Sequence, residues 1–425
     1  MLKGQLAMFD EWIEGPAGGS TDIWPSATTQ PSPRRIALIG NFLPRLCGLA
    51  TFTTHVHGAL AASRPAPNID VYAMVDPGRQ YDFPPAVTMA IDQEEREAYR
   101  AAARRINASA ADLVWVQHEY GIYGGPAGVY LLDLLDAVAA PVVVTLHTVL
   151  ETPDPDQRRV LERLASRASL LVVMAEHARS LLERVYGVPA DRISVIEHGV
   201  PDREFVLPSV ARRRFGIPDR KTIMTFGLLS PGKGIEAMIQ AMPAILARSP
   251  EAAYRVIGAT HPHLVAHEGE RYREMLKTMA RDLGVDRSVL WEECFLDEAD
   301  LLDRLATADV YVTPYRNAQQ ITSGTLSYAS ALGKPIVATP YVHATELLAD
   351  GRGVLVGFGE VEQLADTVGT LLADDDLRAR MAARAYAHGR ALTWGRMVRR
   401  TLERADRTSL PAAAMIEREA ALVTG

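Results

Sequence analysis

Residues able to do chemistry recur where an apolar run gives way to a polar or glycine-bearing loop. In "TFGLLSPGKGIEAMI", Lys233 sits between Gly232 and Gly234 at the mouth of a helical pattern. An ammonium there is a point charge suited to a phosphate. The stretch "NAQQITSGTLSYASALGKPIVATPY" (317–341) runs from a polar loop with Gln319 and Gln320, through Thr322-Ser323-Gly324-Thr325, into a helix and a buried strand. Free N–H groups and the positive dipole end make such a helix start a seat for a diphosphate. Thr322, Ser323 and Thr325 add hydroxyls, and capping by Thr322 or Ser323 is compatible with that role. The G-x-x-x-x-G-K-[ST] and G-x-S-x-G spacings are missing, so neither a Walker loop nor a serine nucleophile elbow is expected.

The N-terminal half offers a second set. "GNFLPRLCGLATFTTHV" brings Gly48 to a helix start, as a close-approach residue for a phosphate or as a packing glycine. In "VQHEYGIYGGPAG", Gln117, His118, Glu119 and Tyr120 precede Gly124-Gly125 and suit a sugar, which offers hydroxyls to bond and a C–H face to stack on. His147 ends the apolar run "VTLH", and His198 stands beside Gly199 in "VIEHGVPD". No metal site is expected. His118 and Glu119 lack a third ligand at standard spacing, and His261, His263 and His267 lack a Cys or paired carboxylate in register.

The elements that must position these groups alternate. "RIALIG" (35–40), "IDVYAM" (69–74), "ADLVWVQ" (111–117), "APVVVTL" (140–146), "SLLVVM" (169–174) and "RISVIE" (192–197) read as buried strands separated by helix-length segments. After "PDREFVLPSVARRRFGIPDR" a second series follows: "TIMTFG" (222–227), "AYRVIG" (253–258), "SVLWEE" (288–293), "ADVYVTP" (308–314), "KPIVATP" (334–340) and "GVLVGF" (353–358). Continuous apolar strands alternating with amphipathic helices signal parallel sheets covered on both faces. The expected fold is α/β: two facing doubly wound Rossmann-like halves, with ligands in a cleft beyond the strand carboxyl ends. The expected boundaries are a mobile extension over 1–33, an N-terminal domain over 34–203, a C-terminal domain over 204–389 and a helical tail over 390–425 that crosses back.

Bulk properties fit. A 425-residue chain exceeds one ordinary core, and 48% apolar with 23% charged residues is globular composition. A net charge of −7 argues against a general nucleic-acid or anionic-membrane binder and leaves room for a local basic cleft. Two distant cysteines, Cys47 and Cys294, form no disulfide framework and fit a reducing cytoplasm. No stretch reaches the roughly 20 apolar residues of a bilayer span.

Taken together these loops resemble the retaining glycosyltransferases of family four, which have the two-Rossmann GT-B fold. The likeness runs from Arg34 to about Arg407 and rests on eight words in the family's order. They are "FLPRLCGLATFTTHV", "VVVTLHT", "VVMAEHARSLL", "ISVIEHGVPD", "TFGLLSPGKGIEAMIQAMP", "ADVYVTPY", "SYASALGKPIVAT" and "GRGVLVGFGEVEQLADTVGTLLADD". "CGLATFT", "QHEYGIYGG" and "TSGTLSYA" resemble a bacterial branch with mannosyltransferase-like members. The resemblance implies Gly48 at the donor diphosphate and His147 at the transferred sugar. It further implies Lys233 with the amides of Ser323, Gly324 and Thr325 on the diphosphate. The Arg that members usually carry five residues before that Lys is Leu228 here. Of the two glutamates common in the family, for donor sugar and ribose, the aligned positions hold Gln320 and Tyr328. Gln320 can still bond sugar hydroxyls, whereas Tyr328 cannot make a carboxylate's bidentate contact with a ribose diol.

The expected reaction moves a hexose, of mannose or glucose type, from a nucleotide diphosphosugar to an acceptor hydroxyl with retention, in bacterial glycan or glycoconjugate synthesis. His147, Lys233 and Gln320 are the expected catalytic groups, and His118, Glu119, Tyr120 and His198 the sugar or acceptor contacts. No cofactor is expected beyond the GDP- or UDP-linked donor. The acceptor is a glycan, a lipid-linked or a small molecule, and peripheral contact with the inner membrane face stays open. The rival readings are a two-Rossmann phosphorylase or epimerase, and a non-catalytic sugar- or nucleotide-binding homologue.

Overall fold

The strands form where Val, Ile and Leu run on without alternation, because a sheet buried on both faces asks for apolar side chains in both directions. The computed structural model describes residues 35–408, so the extension over 1–33 and the end of the tail lie outside the described residues. Seven strands make the first sheet: β1 (Arg35–Gly40), β2 (Asn68–Val75), β3 (Val87–Asp92), β4 (Leu113–His118), β5 (Val142–Leu146), β6 (Leu170–Val173) and β7 (Ile193–Val195). They lie in the order β3-β2-β1-β4-β5-β6-β7, all parallel. Six more, β8 (Thr222–Phe226), β9 (Ala253–Ile257), β10 (Val289–Glu292), β11 (Val310–Thr313), β12 (Ile336–Ala338) and β13 (Val354–Leu355), make a second parallel sheet in the order β10-β9-β8-β11-β12-β13.

Each sheet has one point where the strand order reverses: between β1 and β4 in the first, between β8 and β11 in the second. Ligands of doubly wound sheets bind outside the strand carboxyl ends at that switch point. The loops after β8 and β11 carry Lys233 and the 317–325 stretch; the loop after β1 leads to Gly48, and β4 ends in Gln117 and His118 with Glu119 and Tyr120 following.

One compact unit holds residues 35–199 with 394–408, and the other holds 200–393. The final helix, Trp394–Thr408, therefore belongs to the first unit. It buries Trp394, Met397, Val398, Thr401 and Ala405, a single stripe at helical spacing, and packs on helix Gly48–Ala62. Among the described residues no helix is long and apolar enough to cross a membrane.

Candidate functional site

In the second unit, β8 ends at Phe226 and the chain turns through Pro231–Lys233 into helix Ile235–Arg248, with Gly234 as its N-cap. Lys233 Nζ donates to the Tyr315 hydroxyl at 2.9 Å and lies 4.1 Å from that ring's centroid. Tyr315 stands two residues beyond β11 and is fully buried, stacked on Tyr341 at 5.2 Å. Its hydroxyl stands 2.7 Å from Thr325 Oγ1, which stands 3.2 Å from Ser323 Oγ. Ser323 Oγ accepts from Leu326 N and caps helix Gly324–Ala331. A hydrogen-bonded relay thus runs from an ammonium to a helix start. Burial pushes the Tyr315 phenol up, but the Lys233 charge and hydrogen bonds from Lys233, Thr325 and Ser323 outweigh it and the net shift is downward.

Several expected groups are differently employed. The Ser323 N–H donates to His343 Nδ1 at 2.8 Å, so of the three expected amides only those of Gly324 and Thr325 remain for a ligand. Both lie in the first turn, where N–H groups have no intrahelical acceptor. Gln320 donates one Nε2–H to Thr322 O (3.0 Å), which leaves its second N–H and its carbonyl oxygen for a sugar. Leu228 is half-buried and brings no charge. An arginine does approach from another loop. Arg316 N–H donates to Gly232 O at 3.0 Å, and its guanidinium lies 3.5 Å from Glu236. His261, His263 and His267 belong to a short helix, Pro262–Glu268, which His261 caps. Among the described residues no cluster of three or more His, Cys, Asp or Glu could hold a metal ion.

Tyr328 is buried within helix Gly324–Ala331, and its hydroxyl is hydrogen-bonded to the carboxylate of Glu298, in the first turn of helix Glu298–Ala306. Burial raises the Glu298 carboxyl, and the Tyr328 bond offsets that only in part. Glu298 thus sets a carboxylate against the Tyr328 hydroxyl, a pairing that nothing in local spacing shows. Tyr328→Glu is expected to set two carboxylates against each other and cost about 2 kcal/mol, with Glu298→Gln in the same chain recovering most of it. Urea midpoints at neutral pH for both variants check this.

In the first unit, His147 follows β5 with its Nε2–H on Gln117 Oε1 (3.1 Å) and its ring edge-on to Phe52 (4.6 Å). Phe52 also meets His198 and Trp394, both at 5.0 Å, and His55 stacks on Trp394. His198 donates Nδ1–H to Gly199 O and is buried. Glu119 accepts from Thr148 Oγ1 (2.6 Å) and Tyr120 N (3.0 Å), and burial raises its carboxyl. His118 is fully buried, T-shaped to Tyr120 and stacked with Tyr123. Gly48 opens helix Gly48–Ala62 and is exposed; a Cβ there would meet nothing, so internal packing does not require the glycine.

Burial lowers His118 and His147 to about 3 and His55 to about 4. Folded values below the unfolded 6.5 mean that the stability from burying neutral imidazoles is complete above pH 6.5. It is lost as pH falls toward the folded values. The expected outcome is a urea midpoint flat from pH 8 to 7 that drops below pH 6.5, with a slope of up to about 1.4 kcal/mol per pH unit for each histidine.

Comparison with known proteins adds the following. Residues 48–204 match the family "Glycosyltransferase Family 4" and residues 210–388 match "Glycosyl transferases group 1". A D-inositol 3-phosphate glycosyltransferase of Corynebacterium glutamicum is 30% identical over 300 residues, 65% of this chain and 68% of that protein. A GDP-mannose-dependent alpha-(1-6)-phosphatidylinositol monomannoside mannosyltransferase of Mycolicibacterium smegmatis is 30% identical over 237 residues, 53% of this chain and 59% of that protein. The structure of HepE from Anabaena in complex with UDP superposes with a TM-score of 0.69 at 19% identity, covering 88% of this chain and 100% of that one.

Proposed function

The chain belongs to glycosyltransferase family four, and from that premise we propose a retaining hexosyltransferase whose donor diphosphate sits at Lys233 and the start of helix Gly324–Ala331. The protein is an enzyme with the GT-B fold, akin to bacterial mannosyltransferases, and its donor is a nucleotide sugar. The observation that carries the donor seat is the setting of Lys233. Its ammonium has no carboxylate partner among the described residues, yet the Tyr315 hydroxyl and ring hold it in place. A fixed cation with its charge uncompensated, beside two free amides at a switch point, is the form of an anion receptor.

Glycosidic cleavage builds charge on the diphosphate, and these groups stabilise it without reorganising, which is electrostatic preorganisation. In the proposed reaction the bond from the acceptor oxygen to the anomeric carbon forms on the face where the bond to the phosphate oxygen breaks. The acceptor proton passes to that leaving oxygen. No carboxylate pair of glycosidase type is then needed. His147, neutral and with Nε2–H fixed on Gln117, keeps Nδ1 as an acceptor for a sugar hydroxyl. For the nucleotide, relatives point two ways: one is named for GDP-mannose, and another was solved with UDP. For the acceptor, their names support a hydroxyl of an inositol-type or glycan molecule.

The test is a panel of GDP- and UDP-linked hexoses in a thermal-shift assay, then transfer to inositol-type acceptors with the product's anomeric configuration read by NMR. A stabilising donor and a product of unchanged anomeric configuration support the reading. Donor binding without turnover favours the non-catalytic homologue, and an inverted product removes the retaining mechanism.

A further inference from the structure

The two helices beside the edge strand β7 enclose a groove away from every residue assigned above. Helix Glu176–Tyr186 contributes Glu176 and Arg179, helix Trp394–Thr408 contributes Arg400, Glu403, Arg404 and Arg407, and Ile193 to Ile196 form the floor. Its volume, about 380 Å³, falls in the range of small-molecule sites. β7 pairs with β6 alone, so the backbone groups along its outer side have no strand partner.

The side chains are arranged rather than scattered. Arg400, Arg404 and Arg407 recur at helical spacing on one face of their helix, while the adjoining stripe, from Trp394 to Ala405, anchors that helix in the first unit. Arg404 is pinned by Nε donating to Ser194 Oγ at 2.9 Å. Arg179 is steadied by Glu183 at 3.0 Å and Glu176 at 3.9 Å. Arg400, Arg404 and Arg407 make no ion pair with a carboxylate among the described residues, although Glu403 lies on the same helix. Four arginines against two glutamates leave the groove cationic in a chain of net charge −7.

We propose that this groove binds the phosphate ester of a polyhydroxy compound, as a phospholipid headgroup or as a free molecule. The guanidinium forks match phosphate oxygens, and Glu176 and Glu403 accept from the hydroxyls that such a compound carries beside its phosphate. A bare anion site would gain nothing from those carboxylates, whereas a phosphorylated polyol uses both signs of charge. An extended acidic peptide is the less suited occupant, because the exposed edge is only the three residues Ile193–Val195.

The experiment uses the full chain and two arms. One measures calorimetric binding of sorbitol 6-phosphate against sorbitol and inorganic phosphate. The other measures co-sedimentation with phosphatidylcholine vesicles with and without phosphatidylglycerol. The expected result is binding in at least one arm, weakened tenfold or more by Arg400→Ala with Arg407→Ala and partly restored when both are Lys. Nucleotide-sugar hydrolysis and the thermal midpoint should stay as in the parent. Binding confined to the vesicle arm assigns a lipid headgroup; binding confined to the soluble arm assigns a free ester. No binding in either arm overturns the proposal. So does equal binding by the alanine variant.

Discussion

Lys233→Ala should lower kcat/KM for sugar transfer by roughly 10²–10³-fold, the usual cost of deleting one preorganised stabiliser of developing charge. The ammonium makes no ion pair that its loss would strand, and its hydrogen bond goes to a neutral phenol, so the fold should lose little. kcat should fall more than donor affinity, because charge on the diphosphate grows toward the transition state. Tyr315→Phe keeps the ring under the ammonium but removes the hydroxyl link to Thr325, and a loss of about tenfold is expected. Steady-state kinetics with donor binding measured separately decide the matter. An alanine variant with parental kcat and donor affinity removes Lys233 from the site.

Gly234→Ala should be the more damaging change to the fold, costing about 3 kcal/mol or more. Gly234 sits at φ 63° and ψ 26° as N-cap of helix Ile235–Arg248, in the left-handed region. A Cβ there would lie 1.9 Å from Pro314 O, a backbone atom that cannot swing aside. That contact holds the Lys233 turn against the end of β11, where Tyr315 begins its relay. Donor binding should therefore fall together with stability. Gly232→Ala is the control: its Cβ would meet only Ser230 Oγ at 3.9 Å, and near-parental urea midpoints are expected. Equal midpoints for the two variants would contradict the packing argument.

The sheets were legible because burial on both faces leaves an unbroken apolar run, and every such run became a strand. β3 escaped that reading. It is an edge strand whose "VTMAID" is mostly part-exposed, so its side chains need not be uniformly apolar. Lys233 and the cap at Ser323 were visible through glycine and hydroxyl residues beside strand ends. What stayed hidden were pairings between distant residues. Ser323 N–H with His343, Tyr328 with Glu298, and Tyr315 under Lys233 each join separate loops or helices, and spacing along the chain carries no record of them. The inward turn of His118 was hidden for a related reason. Alternation along a strand tells which residues share a face, not what stands in front of it.

The return of helix Trp394–Thr408 to the first unit makes residues 200–393 an insertion within another domain. The chain leaves at Gly199 and re-enters at Trp394, whose indole lies where a Gly199 Cβ would be, 2.1 Å away. No single cut can free either unit, since the second connection still tethers it. Excising the inserted unit alone takes two cuts and a short splice from 199 to 394. Truncation at 393, the last residue of the inserted unit, would instead strip the first unit of its Trp394 cover.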